Sequence, residues 1–255
     1  MTVHLLAAMP WTAVRDFVSP RAVAVLPLGA MEAHGPHLPL ATDVIIAEAM
    51  AREGAGRLSS RGFDVFLLPA FSVAAAPFAA GFPGTIDARP GDVASLVVSI
   101  AASLGRHGIR HTALANAHLD PAHVRSLRDA ATQLDRAVGS LIFPDVTRRR
   151  FADRLTEEFR SGACHAGRYE TSVMLAERPE WVRADVASQL PANPRSLVEA
   201  IHRGASTFET AGSADAYFGW PADATAEEGR RIVATLAAIL EEAVVEAFDR
   251  ERSLQ

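Results

Sequence analysis

Short, continuous apolar runs alternate along this chain with longer stretches of mixed, helix-period sequence. The run Val23-Ala24-Val25-Leu26-Pro27-Leu28 predicts a buried strand, which Gly29 ends. Phe63-Asp64-Val65-Phe66-Leu67-Leu68-Pro69-Ala70-Phe71 predicts a second strand, and its nearly continuous apolarity matches burial on both faces. Two more are predicted at 109–114, where His111 and Thr112 interrupt the run, and at 139–143. The helical pattern predicts helices at 44–58 with Asp43 as N-cap, from Gly91 or Asp92 to Leu104, and from Pro121 at the first helical position to about Leu134. Further helices are predicted at 147–159, 172–176 and 225–248. Residues 1–20 read as a lead-in with a helix from Trp11 to Phe17, and residues 180–225 as irregular.

Strand and helix alternate from end to end, which predicts an α/β fold with a parallel or mostly parallel central sheet and helices on both sides, a three-layer α/β/α sandwich. No repeat, linker or low-complexity tract divides the chain, so residues 1–255 are expected to form one domain. Half of the residues are hydrophobic (49%), ample for a single core. A formal net charge of -5 offers no nucleic-acid surface. The single cysteine, Cys164, excludes an intrachain disulfide and a cysteine-rich metal site. The N-terminal residues carry no basic segment before an apolar one, and no apolar stretch approaches the roughly 20 residues that cross a bilayer. The expected compartment is a reducing cytoplasm, without membrane or nucleic-acid partners.

Three clusters carry chemistry, each ahead of a predicted helix. Glu32, His34, His37 and Asp43 lie in a Gly- and Pro-punctuated loop after the first strong strand, the place where open α/β sheets put their sites. Carboxylate oxygen and imidazole nitrogen suit zinc or manganese; the bland alternative is a solvated polar loop. Asn116-Ala117-His118-Leu119-Asp120-Pro121 follows another strand. His165-Ala166-Gly167-Arg168-Tyr169-Glu170-Thr171-Ser172 follows Cys164, which on its own offers a thiol nucleophile as an alternative. Glu170 is either a ligand or a carboxylate favoured at a helix N-terminus. The apolar stretch 72–90 is long for a plain surface loop, and lining a pocket or an interface would explain it.

The run LPLGAMEAHGPHLPLATD, residues 26–43, resembles the signature of the creatininase family of metal-dependent amidohydrolases. Phe82-Pro83-Gly84-Thr85-Ile86, the Asn116 segment and the His165 segment resemble further family motifs. The resemblance implies two divalent ions per subunit, zinc, manganese or iron(II). It implies that Glu32 binds one ion, His34 the other, and Asp43 both. His118 matches a metal-binding histidine. Asp120 stands where some members have a metal-binding glutamate and is expected to complete the His34 site, with Glu170 left for catalysis, although the reverse division is open. His165 is the residue used near the reacting bond. The implied reaction is attack of metal-activated water on an amide carbonyl, His165 protonating the leaving nitrogen. A homo-oligomer, usually a hexamer, and a small-molecule amide substrate are implied as well.

The chain also departs from the family. Alanines between Ala74 and Ala80 replace polar residues, Leu119 replaces a substrate-contacting tyrosine, and Ala117 and Pro121 replace a glycine and an asparagine. Ser161 and Gly162 stand in place of a Trp-Asp pair, and no tryptophan lies between Trp11 and Trp181. Creatinine is therefore not the expected substrate. A formamide, a peptide-like amide such as the precursor peptide of a redox cofactor, and a binding-only role for a member without turnover remain as alternatives.

Overall fold

The computed structural model describes residues 3–253. Five strands, β1 (Val3–Leu5), β2 (Ala22–Leu28), β3 (Asp64–Leu67), β4 (His111–Asn116) and β5 (Ser140–Ile142), form one sheet in the order β1-β3-β2-β4-β5. All of its pairings are parallel; Val23, for example, lies opposite Val65 on one side and His111 on the other. The helices are α1 (Trp11–Phe17), α2 (Thr42–Ser60), α3 (Pro90–Arg106), α4 (Pro121–Gln133), α5 (Arg149–Ala152), α6 (Glu157–Ser161), α7 (Arg168–Glu177), α8 (Ala184–Ala187), α9 (Leu197–His202), α10 (Phe208–Ala211) and α11 (Ala226–Arg252).

The central strand β2 is buried throughout, and its alternation sorts the core. Val23 and Val25, with Ala113 and Ala115 of β4, face the layer of α2, α7 and α11. Leu26, Leu28 and Leu114 face α3 and α4. This is the three-layer α/β/α arrangement that the strand–helix alternation predicts.

The strand order explains where chemistry can sit. After β2 the chain crosses to β3 through α2 on one face. After β4 it crosses to β5 through α4 on the opposite face. The loops leaving β2 and β4 therefore diverge at neighbouring strand ends, the switch point at which open α/β sheets bind ligands.

Several expectations are corrected. β1, inside the lead-in, is a true edge strand, too short to show a pattern of its own. The strand expected at 63–71 is regular only from Asp64 to Leu67, and beyond it the chain pairs with β2 again through an isolated bridge from Phe71 to Leu28. The helix expected at 147–159 is two short helices, because the Thr156 hydroxyl accepts from the Phe159 N–H at 3.3 Å and starts α6 afresh. Asp43 is not an N-cap: Ala41 holds that position, and Asp43 lies in the first turn with its carboxylate toward His118. Residues 180–225 contain α8, α9 and α10 rather than irregular chain alone. The apolar 72–90 stretch, by contrast, is as expected no plain surface loop: Ala74, Ala75, Ala76 and Ala79 are completely buried.

The tightest helix contact is α7 on α11. A Cβ at Gly229 would lie 1.9 Å from the Ser172 carbonyl oxygen, whereas one at Gly56 of α2 would meet nothing within 4 Å. Gly229→Ala is expected to destabilise the protein by about 1–3 kcal/mol, the cost of overpacking. Gly56→Ala is expected to stabilise it by roughly 0.4–1 kcal/mol through the unfolded chain. Denaturant unfolding of both variants checks the contrast.

Candidate metal centre

The loop after β2 leaves and returns at one point. A Cβ at Gly29 would stand 2.4 Å from the Val44 nitrogen, so only glycine lets the end of β2 touch the first turn of α2. That closure brings Glu32 and His34 against Asp43. His118 arrives from the end of β4. The fifth member, Glu170, comes from no strand end; it stands in the first turn of α7, which begins at Arg168 within the stretch expected as loop.

Glu32, His34, Asp43, His118, His165 and Glu170 are all buried. Three sets of donor atoms converge: Glu32 with His34 and His165, Glu32 with Asp43 and His118, and His34 with Asp43 and Glu170. Asp43 turns its two oxygens to two different rings. Oδ2 lies 2.9 Å from His118 Nδ1 and Oδ1 lies 3.3 Å from His34 Nε2. Glu32 Oε1 is 3.2 Å from His118 Nδ1, and Glu170 Oε2 is 3.6 Å from His34 Nε2.

The imidazoles are oriented from behind. His118 Nε2 donates to the Ala75 carbonyl at 2.8 Å, His34 Nδ1 to that of Glu32 at 3.1 Å, and His165 Nε2 to that of Ala33 at 3.0 Å. Each ring thus presents its other nitrogen to the carboxylates, the arrangement of metal-ligating histidines. Glu32 Oε2 and His34 Nε2 are buried without a hydrogen-bond partner. A mixed set of carboxylate and imidazole donors with unpaired atoms pointing inward fits divalent ions.

The electrostatics agree. Burial opposes protonation of His34, but Asp43, Glu170 and Glu32 outweigh it and hold its pKa up at about 10. His118 is held well above its usual value, against its burial, by Glu32 and Asp43. His34 and His118 in turn hold Asp43 well below the carboxylate range despite burial. Burial, joined by Asp43 and Glu32, raises Glu170 to about 8. Burial and the neighbouring His34 lower His165 to about 4. So dense a carboxylate cluster draws positive charge into itself, as protons or as metal ions.

Asp120, expected as a ligand, stands in none of the converging sets among the described residues. It is the N-cap of α4: Oδ1 accepts from the Ala122 N–H at 2.8 Å and Oδ2 from that of Phe78 at 3.3 Å. His37 does not reach the cluster either; its Nε2 pairs with Thr171 Oγ1 at 2.9 Å and ties the β2 loop to α7. Burial together with Glu170 and Glu158 pushes the Cys164 thiol well up, which disfavours the reactive thiolate.

Two supporting residues carry no sequence signal. Phe208, in the stretch read as irregular, stacks on His165 with ring centroids 4.2 Å apart. Glu158, 2% exposed, accepts from the backbone N–H groups of Arg168, Tyr169 and Trp220 at 2.6–2.8 Å. It caps α7 from ten positions upstream, which is why the start of that helix shows no capping residue of its own.

Comparison with known proteins decides the family. The model of the creatininase family, described as creatinine amidohydrolase, matches residues 7–244. The chain belongs to the creatininase family. It is a creatininase-family amidohydrolase, a metal-binding hydrolase of amide C–N bonds. The mycofactocin precursor peptide peptidase of Mycobacterium ulcerans is 35% identical over 217 residues, covering 83% of this chain and 80% of that protein. The creatinine amidohydrolase of Pseudomonas putida is 29% identical over 174 residues, covering 64% and 67%. A solved creatininase described with manganese superposes with a TM-score of 0.73 at 22% identity, covering 97% of this chain and 99% of the other, which supports the fold.

Glu158→Ala would strand three N–H donors, two at the head of α7 and that of Trp220, all buried or half-buried. The expected loss is about 1–3 kcal/mol for each donor left unsatisfied, lessened wherever water enters. Thermal unfolding measures it, and an unchanged midpoint would show that the clamp is idle.

Proposed function

We propose that this chain is a dinuclear-metal hydrolase of peptide-like amides rather than of creatinine, acting in the cytoplasm. The observation that carries the reading is Asp43, whose two oxygens face two separately anchored imidazoles. Glu32, Asp43 and His118 would hold one divalent ion, and His34, Asp43 and Glu170 the other. Glu170 is favoured over Asp120 for the second site, the reverse of the sequence-based expectation, because Asp120 is occupied as a helix cap. The 35% identity to a precursor-peptide peptidase and the absence of tryptophan between Trp11 and Trp181 both favour a peptide-like substrate.

Divalent ions at such a site supply Lewis acidity, lowering the pKa of water and polarising a carbonyl oxygen. The residues do the rest. The Ala33 carbonyl fixes His165 through Nε2, which turns Nδ1 toward Glu32, 3.9 Å away, and toward the open side of the cluster. His165 Nδ1 takes the proton of the attacking water and delivers it to the leaving nitrogen.

Metal analysis and activity together test the assignment. Asp43→Ala should lose both ions, and full metal retention there would sink the dinuclear reading. Glu170→Gln should empty one site, whereas Asp120→Ala should keep both and lose about 1 kcal/mol of stability with its helix cap. His165→Ala should keep both ions and lose roughly 10²–10⁴-fold in rate. Full metal occupancy with no hydrolysis of any short peptide or amide in the wild type would instead indicate a binding-only member.

The reading includes a homo-oligomer, a hexamer by family resemblance. Its support is the exposure of Leu5, Trp11 and Phe17 in the β1–α1 segment, Trp11 at 74%. Light scattering at micromolar concentration should give a multiple of the 27.2 kDa chain mass. A monomer would refute it.

A further inference from the structure

A cavity of about 650 Å³ opens from the metal centre to solvent. That volume suits a drug-sized ligand, and a small cyclic amide would leave most of it empty. Glu32, Asp43, His118, His165 and Glu170 line its inner end. The walls are Phe78, Leu119, Phe159, Leu197, Ile201 and Phe208. The apolar surface begins at the reacting centre itself, since the Phe208 ring lies against His165.

The outer wall is held firmly. The Leu197 N–H at the start of α9 donates to the Gly162 carbonyl at 2.8 Å. Gly162 has φ +78°, and a Cβ there would stand 2.5 Å from Ser196 Oγ. α9 is thus seated on the segment that leads into His165. At the mouth the exposed lining residues include Arg160, Glu199 and His202. The charge of Glu199 is matched by Arg203, 2.9 Å away. Among the described residues Arg160 has neither an ion pair nor a side-chain hydrogen bond, so the uncommitted charge at the mouth is positive.

We infer that the substrate is an N-acyl amino acid unit with a bulky apolar side chain and a free carboxylate. The side chain fills the wall of Phe78, Leu119, Ile201 and Phe208, and the carboxylate meets Arg160. An aromatic or branched side chain gains by leaving water for that wall. A planar guanidinium matches a carboxylate with two parallel hydrogen bonds. The inference rests on the amide-hydrolysis reading for the reaction, but recognition of the apolar carboxylate can be measured without it.

Rates on hippuryl-phenylalanine, its carboxyl-terminal amide and hippuryl-glycine, with manganese-loaded protein, form the first arm. The first substrate should exceed the other two in kcat/KM by roughly 10- to 100-fold, the scale of a charge-assisted hydrogen bond or of one buried side chain. Arg160→Gln should erase the preference for acid over amide through KM. Ile201→Asn should erase the preference for phenylalanine over glycine. Calorimetric binding of hydrocinnamate, hydrocinnamyl alcohol and propionate, none of which has a scissile bond, forms the second arm. Hydrocinnamate should bind best to the wild type and no better than the alcohol to Arg160→Gln. Hydrolysis without these preferences, or hydrocinnamate affinity unchanged in Arg160→Gln, overturns the inference alone. The binding pattern without hydrolysis of any amide overturns the hydrolase reading and leaves the recognition standing.

Discussion

Buried negative charge is the constraint on which the rest of this structure depends. Glu32, Asp43 and Glu170 are drawn from two distant parts of the chain into one buried cluster. Carboxylates out of water are costly unless positive charge and hydrogen bonds meet them. Two imidazoles supply part of that charge, and the donor geometry provides for metal ions to supply more. The surrounding backbone serves the same end. The carbonyls of Ala75, Glu32 and Ala33 each hold one nitrogen of a ring and so leave the other for the cluster.

A second buried carboxylate shows the other solution. Glu158 meets no cation-binding set among the described residues; three backbone N–H groups satisfy it. Those donors belong to the start of α7 and to Trp220, so one side chain ties together the segment bearing Glu170 and the chain that follows Phe218. Phe218 in turn donates its N–H to the His165 carbonyl at 2.7 Å. The acidic centre is therefore shaped by a neighbour with no part in its chemistry.

Placement at the switch point gives the same centre its access. Divergent loops after β2 and β4 leave a crevice over the sheet, and α7, packed on α2 and α11, supplies a further wall. The short helices α9 and α10 build the outer cavity. The converging carboxylates and imidazoles thus come from strand ends and one helix start, while the outer cavity is built from the segment least regular in pattern.

Read alone, the sequence yields the layers, the parallel sheet and most of the residues that converge in the buried cluster. Hydrophobic periodicity is a local property, so the buried strand from Val23 to Leu28 and the amphipathic helices could be read from it. Glu32, His34, Asp43 and His118 were legible because each lies just beyond a strand, and the family resemblance bound them into one site. Only the tertiary structure shows that Glu170, and not Asp120, lies beside His34. Both are carboxylates close to helix starts, and they differ only in what surrounds them: Asp120 bonds to its own helix and to Phe78, whereas Glu170 faces His34 across the cluster. Phe208 on His165 and Glu158 on α7 were equally beyond reading, because contacts between residues so far apart in the chain leave no periodic trace in it.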